Sequence, residues 1–472
     1  MYKYFSKELS LLNKNYKTDE FNCILIYGRV GIGKTALIRE YIKDKNSIYL
    51  LVKPQTIAVL LNSFKNIVAE MLDDKLLKLT NVRDLKNLFE YIVKKEFNEK
   101  LVIIIDEFQS LVKLDSSIIK QLKYIIENIL VSTNIELILS GSNLSVIDKQ
   151  ILSPKSILYG NATFVLKLEQ MTYNDVCRYL EENELSKETK NDNKKNIVNS
   201  NSIEIYSILG GTQKYIKMYQ DMKNDKTIFD FIEDTILDKN SYLYNEIERI
   251  MQSEVTELAI YYAILESIAD DIHKIGDIAA NIGQSVQNIT APIAKLISLG
   301  IISKLLPITE ENRNKSKMGL YFINDNYFRF WFRYVSPNKN HLELGNIELV
   351  MDKIKNDINN FITPIYKNIV IQFINNEFAT GLDIQWWDKT SKIDIFYIKK
   401  EKEILFVGDS FYGNENICID KFIELEKKTK SIKGYYKHNN FKYFLFSNCG
   451  FTDELKTLSS ELENIVLVLI KS

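Results

Sequence analysis

Cysteine, histidine and proline are scarce: 472 residues contain four, three and six of them. Cys23, Cys177, Cys418 and Cys449 are far apart and form no CxxC pair, and His273, His341 and His438 are as scattered. A disulfide framework and a Cys/His zinc site are therefore not indicated. No apolar run is long enough to span a bilayer, and the N-terminal stretch MYKYFSKELSLLNKNYK lacks the apolar core of a signal peptide. This reads as a cytoplasmic protein with no membrane partner. An excess of either charge is also lacking. The 61 basic and 62 acidic residues leave a formal net charge of −1, so no global field would hold the chain on nucleic acid or an anionic surface. Only eight residues are arginine, which shortens the list of groups able to act as an arginine finger.

What is present is an ordinary folded composition, 46% hydrophobic and 26% charged, in a chain long enough for about three or four units. The segment CILIYGRVGIGKTALIREYI runs from an apolar strand through glycines into helical spacing. Gly28, Gly33, Lys34 and Thr35 fit GxxxxGK[ST], with Gly31 inside the loop and Ala36 opening the helix. Successive N–H groups of such a loop point at phosphates; Lys34 would bridge the β- and γ-phosphates of ATP and Thr35 would ligate Mg²⁺. In KLVIIIDEFQSL an apolar strand ends on Asp106 and Glu107. Asp106 would hold the Mg²⁺ shell and Glu107 would deprotonate the attacking water, which implies hydrolysis and not binding alone. A third apolar strand, IELILSGSNL, ends in Ser140, Ser142 and Asn143. Ser140 or Ser142 would sense the γ-phosphate, with Ser140 assigned to the catalytic set beside Lys34 and Glu107. With SIYLLVKP and ATFVLKLEQ, the first third supplies five strands alternating with helices, an α/β fold with a parallel sheet.

Further on, Thr172 and Asp175 have the spacing of a capping box opening a helix, a polar Lys/Asn-rich loop covers 186–202, and Gly210 and Gly211 separate helical runs of a lid. From 258 three short helices and two strands predict a winged helix-turn-helix. Its third helix presents Gln284, Ser285, Gln287, Asn288 and Thr290 but only one charge, Lys295, and residues 258–337 hold eight basic against seven acidic side chains. Only Arg313, Lys315 and Lys317 at the wing resemble a phosphate-contacting element, so protein docking is favoured over DNA contact.

YGRVGIGKTALI, IIIDEFQSL, LILSGSNLSVI, ILGGTQKYI, LGIISKLLP and YFINDNYFRFWFRYVSPN together resemble the archaeal-type ATPases, signal-transduction-type P-loop ATPases of the AAA+/STAND kind. The resemblance covers nearly the whole chain. It implies an ATPase core, a helical lid, a winged helix and a C-terminal domain similar to restriction endonucleases of the PD-(D/E)XK type. Two departures concern hydrolysis. Asn161 stands where the family often has an arginine, and Thr212-Gln213 follow Gly211 where it tends to have a proline. Arg83, Arg178 and Arg249 are then the nearest intrachain cations, and slow or partner-dependent hydrolysis is expected.

In WWDKTSKIDIFYIKKEKEILFVGDSFYG, pairing Ile398 with Leu405 would set Asp394 opposite Asp409, two carboxylates able to hold Mg²⁺ or Mn²⁺ for phosphodiester cleavage. The family pattern of an acid, one residue and a lysine is broken here as Asp409, Ser410 and Phe411, with Lys421 the candidate replacement. Residues 361–472 hold fifteen acidic and fifteen basic side chains, no charged bed for DNA. The site reads as a degenerate nuclease centre. The domain expectation is an ATPase core at 1–170, a lid at 171–255, a winged helix at 256–338 and an endonuclease-like domain at 339–472. The functional expectation is a Mg²⁺- and ATP-dependent switch with a protein partner or homo-oligomer. An ATP-gated nuclease and a winged-helix DNA-binding regulator are its rivals.

Overall fold

Five strands carry the first third: β1 (Asn22–Tyr27), β2 (Ser47–Leu51), β3 (Leu101–Asp106), β4 (Ile135–Gly141) and β5 (Phe164–Lys167). Every residue of β3 and β4 is buried, as a parallel strand covered on both faces requires. The computed structural model describes residues 5–97, 99–115, 117–142, 144–188, 201–222, 226–310, 312–313, 316–378, 384–399, 404–432 and 441–471. Asn143, Lys315 and most of the 186–202 loop lie outside these.

The five strands pair in the order β2-β3-β4-β1-β5, all parallel, as the alternation of strands and helices predicts. Leu25, Ile103, Ile105 and Leu137 face one helical layer, and Ile24, Ile26, Val102, Ile104 and Ile138 face the other. Crossing from β3 to β1 over the later strand β4 places the carboxyl ends of β1, β3 and β4 side by side, where an open parallel sheet binds its ligand.

Two compact units divide the chain: 1–170 with 212–214, and 171–211 with 215–472. In the second unit Thr172 and Asp175 make the expected reciprocal cap, Thr172 N–H donating to Asp175 Oδ2 at 3.0 Å and Asp175 N–H to Thr172 Oγ1 at 3.3 Å. Helices Leu258–Ala269, Ile275–Asn281 and Val286–Ser298 precede an antiparallel ribbon of β6 (Ile302–Leu305) and β7 (Leu320–Ile323). A 32-residue helix, Ile347–Phe378, leads to the short pair β8 (Trp386–Trp387) and β9 (Lys392–Ile393). The chain ends in a mixed sheet of β10 (Ile395–Lys399), β11 (Ile404–Phe411), β12 (Phe441–Ser447) and β13 (Ile465–Leu469), where β10–β11 is antiparallel and the rest parallel. Ile398 pairs with Leu405, the register expected from the sequence. Among the described residues no helix is long and apolar enough to cross a membrane.

Candidate nucleotide site

Between β1 and the helix Lys34–Tyr41 the chain turns with φ of +85° at Gly31 and +100° at Gly33, a left-handed backbone that side chains with a Cβ rarely adopt. Space is as restrictive as conformation. A Cβ on Gly33 would meet the Phe5 ring at 2.8 Å and the Gln213 amide oxygen, and one on Gly31 would lie 3.2 Å from Thr212. Lys214 N–H donates to Gly31 O at 3.3 Å, so Thr212–Lys214 form part of the loop's own wall. In the sequence, Thr212 and Gln213 stand out only as a departure from the family pattern. Their burial, 2% and 8% exposed, is a property of the fold.

The Lys34 ammonium is held at the loop by the carbonyls of Gly28 and Arg29, at 2.9 and 2.7 Å. Burial lowers its pKa to about 8, against the pull of Glu107 and Asp106. Gly28 N–H reaches Gly141 O at 3.4 Å, which ties the loop to the end of β4. Ala36 is half-buried and packs with Leu37 and Ile38 on the sheet.

Thr35 Oγ1 donates to Asp106 Oδ2 at 3.2 Å, and the Tyr49 hydroxyl donates to the same oxygen. Burial, then the bond to Asp106, pushes the Tyr49 phenol well up, so it stays a donor. A hydroxyl and a buried carboxylate held together at the mouth of a phosphate loop are hard oxygen donors, which fits Mg²⁺ arriving with a nucleotide. Tyr49 was not foreseen; register explains it, since β2 and β3 pair with Leu51 opposite Asp106.

Glu107 follows with φ of +56°, a strained backbone for a residue with a side chain. Its N–H donates to Asp106 Oδ1 at 3.0 Å. Ser142 Oγ donates to Glu107 Oε2 at 2.9 Å and Gln109 Nε2 donates to the same oxygen. Gln109 in turn accepts from Ser142 N at 3.2 Å, closing a network across the ends of β3 and β4. Of the two serines weighed from the sequence, Ser142 touches Glu107. Ser140 Oγ is fully buried beneath the site with no hydrogen-bond partner among the described residues.

Arg83 lines a separate cavity of the first unit with Asn62 and Asp115. In the second unit Arg178 lies in helix Tyr173–Glu188, and Arg249 lies over the Tyr242 ring. Asn161 donates to Glu127 at 3.0 Å.

In the second unit Asp394 N–H donates to Asp409 Oδ1 at 3.1 Å, and Ser410 N–H and Oγ–H donate to Asp394 Oδ2 at 3.1 and 2.7 Å. The expected acid pair is therefore assembled, but lysines sit on it. Lys367 meets Asp394 at 2.8 Å and Lys428 meets Asp409 at 3.3 Å. Lys421, the expected replacement, pairs instead with Glu424 at 3.5 Å; Lys428, two helical turns on, is the one whose direction suits Asp409. Burial raises Asp394, yet the Lys367 and Lys392 ammoniums outweigh it and hold it down, whereas burial and the Asp394 charge raise Asp409 to about 6. Two carboxylates already bonded to ammonium groups do not fit a divalent cation, and no group of three ligating side chains occurs among the described residues.

Residues 6–219 match the model of an ATPase domain predominantly from Archaea, and 331–429 match that of archaeal and bacterial proteins of unknown function. An uncharacterized protein of Methanocaldococcus jannaschii is 28% identical over 435 residues, 90% of this chain and 91% of its own length. A Walker-type ATPase of Pyrococcus abyssi superposes with a TM-score of 0.50 at 14% identity, over 70% of this chain and 95% of its own.

Proposed function

The chain belongs to the archaeal-type ATPase family, and from that premise we propose that it is a Mg²⁺-dependent ATP-hydrolysing switch, its nucleotide state read out by partner binding. Support comes first from one observation: Glu107, in a strained backbone and bonded by Ser142 and Gln109, stands next to Asp106 and across from the glycine loop. Loop N–H groups and Lys34 bind the phosphates. Thr35 and Asp106 would hold Mg²⁺, which supplies charge neutralisation on the β- and γ-phosphates. Glu107 takes the proton of the attacking water, and Ser142 fixes the carboxylate that does so.

Contacts of Thr212–Lys214 with Gly31 and Gly33 support the coupling, because a γ-phosphate that moved the loop would move the segment leading into the next helix. The three helices and ribbon of 258–323 are read as a winged helix used for protein docking, since Gln284, Ser285, Gln287, Asn288 and Thr290 form an exposed, uncharged face. Asp394 and Asp409 are read as a structural remnant. The test is Glu107→Gln: ATP binding is retained while phosphate release falls about 10²–10⁴-fold. Hydrolysis at the wild-type rate would remove Glu107 from the mechanism.

A further inference from the structure

The second unit holds a cavity of about 280 Å³ between the β6–β7 ribbon, the helix Ile347–Phe378 and β9. None of the described residues lining it is acidic, while His273, Arg329, Lys367 and Lys392 are basic. Carboxamides of Asn368 and Gln385 add donors to the same wall. Two of the cations are already matched by acids outside the cavity, Arg329 by Asp271 and Lys367 by Asp394, each at 2.8 Å. Lys392 is an exposed side chain that makes no ion pair among the described residues; its ammonium lies near that of Lys367, whose repulsion acts on it more strongly than the pull of the Asp394 or Asp409 carboxylate. Like charges brought together at a cavity wall cost free energy that an anion between them removes.

We propose that this cavity binds a small phosphorylated ligand, distinct from the ATP of the first unit, with its phosphate against Lys392 and Lys367. A phosphate monoester carries about −1.5 to −2 charges at neutral pH, which suits two ammonium groups better than a carboxylate does. The volume falls just below the range for drug-sized ligands, about 300–1,000 Å³, so the occupant is a small metabolite and not a polymer. His273 and Phe322, with ring centroids 4.3 Å apart, form an aromatic wall for the rest of it.

The experiment is calorimetric titration of the full chain carrying Lys34→Ala, which disables the nucleotide loop, with inorganic phosphate and with acetate at matched ionic strength. Saturable phosphate binding is expected, weakened at least about tenfold by a further Lys392→Gln and kept by Lys392→Arg, with acetate at least about tenfold weaker. Lys392 carries no ion pair whose loss would unfold the unit, and an unchanged thermal midpoint verifies this. Phosphate heats that Lys392→Gln leaves unchanged, acetate binding as tightly as phosphate, or no saturable heat at millimolar phosphate would each overturn the proposal.

Discussion

Glu107 is the residue on which chemistry and conformation meet. The sequence identifies it through the apolar strand that precedes it, but what holds its carboxylate, Ser142 and Gln109, comes from elements brought together by the sheet order. Removing the 2.9 Å bond with Ser142→Ala should lower kcat about ten- to hundredfold, the worth of a hydrogen bond to a charged group, with KM unchanged; steady-state phosphate release reads both. Lys34 gives a pH signature. Its pKa of about 8 means the free loop is protonated below that pH and must recover a proton to bind ATP above it. ATP affinity should therefore be flat up to about pH 8 and then fall by up to about tenfold per pH unit, which a fluorescent-nucleotide titration reads directly.

At the level of elements, strands were the most legible feature, because a buried parallel strand is a continuous apolar run, as the central strands β1, β3 and β4 are, while the less buried edge strands β2 and β5 followed from the alternation with helices. The β10–β11 register was legible for the related reason that opposed residues share a face, and Asp394 does meet Asp409. Lys367 and Lys428 were not, since helix direction and rotation against a sheet leave no mark in strand spacing. The glycine loop was legible as a motif, its wall of Phe5 and Gln213 was not, and the two can be separated by substitution. Gly33→Ala should abolish ATP binding, whereas Gly160→Ala, also left-handed at +81° but with nothing near its Cβ, should cost only the backbone strain of about 1–2 kcal/mol and leave affinity intact. The acid pair has a stability signature. Asp409 is raised from an ordinary 3.8 to about 6, so the folded domain keeps a proton that the unfolded chain has released, and stability falls as pH rises through that window. Chemical denaturation between these pH values should show the fall in the wild type and lose it in Asp409→Asn.

Over the whole molecule, balanced charge, an uncharged exposed face on the helix Val286–Ser298 and an acid pair bonded to lysines leave the ATPase site, among the described residues, as the centre best supported by its groups. The packing of Thr212–Lys214 on the glycine loop, folding with the first unit while the residues on either side fold with the second, was invisible in the chain's composition and periodicity. It is also where a nucleotide-dependent rearrangement would start. Hydrogen–deuterium exchange on Glu107→Gln, compared with ATP and with ADP bound, tests this directly. The account predicts protection of the glycine loop and of the peptides around Thr212–Lys214 that is stronger with ATP than with ADP. Identical exchange in the two nucleotide states, with both nucleotides bound, would contradict a switch.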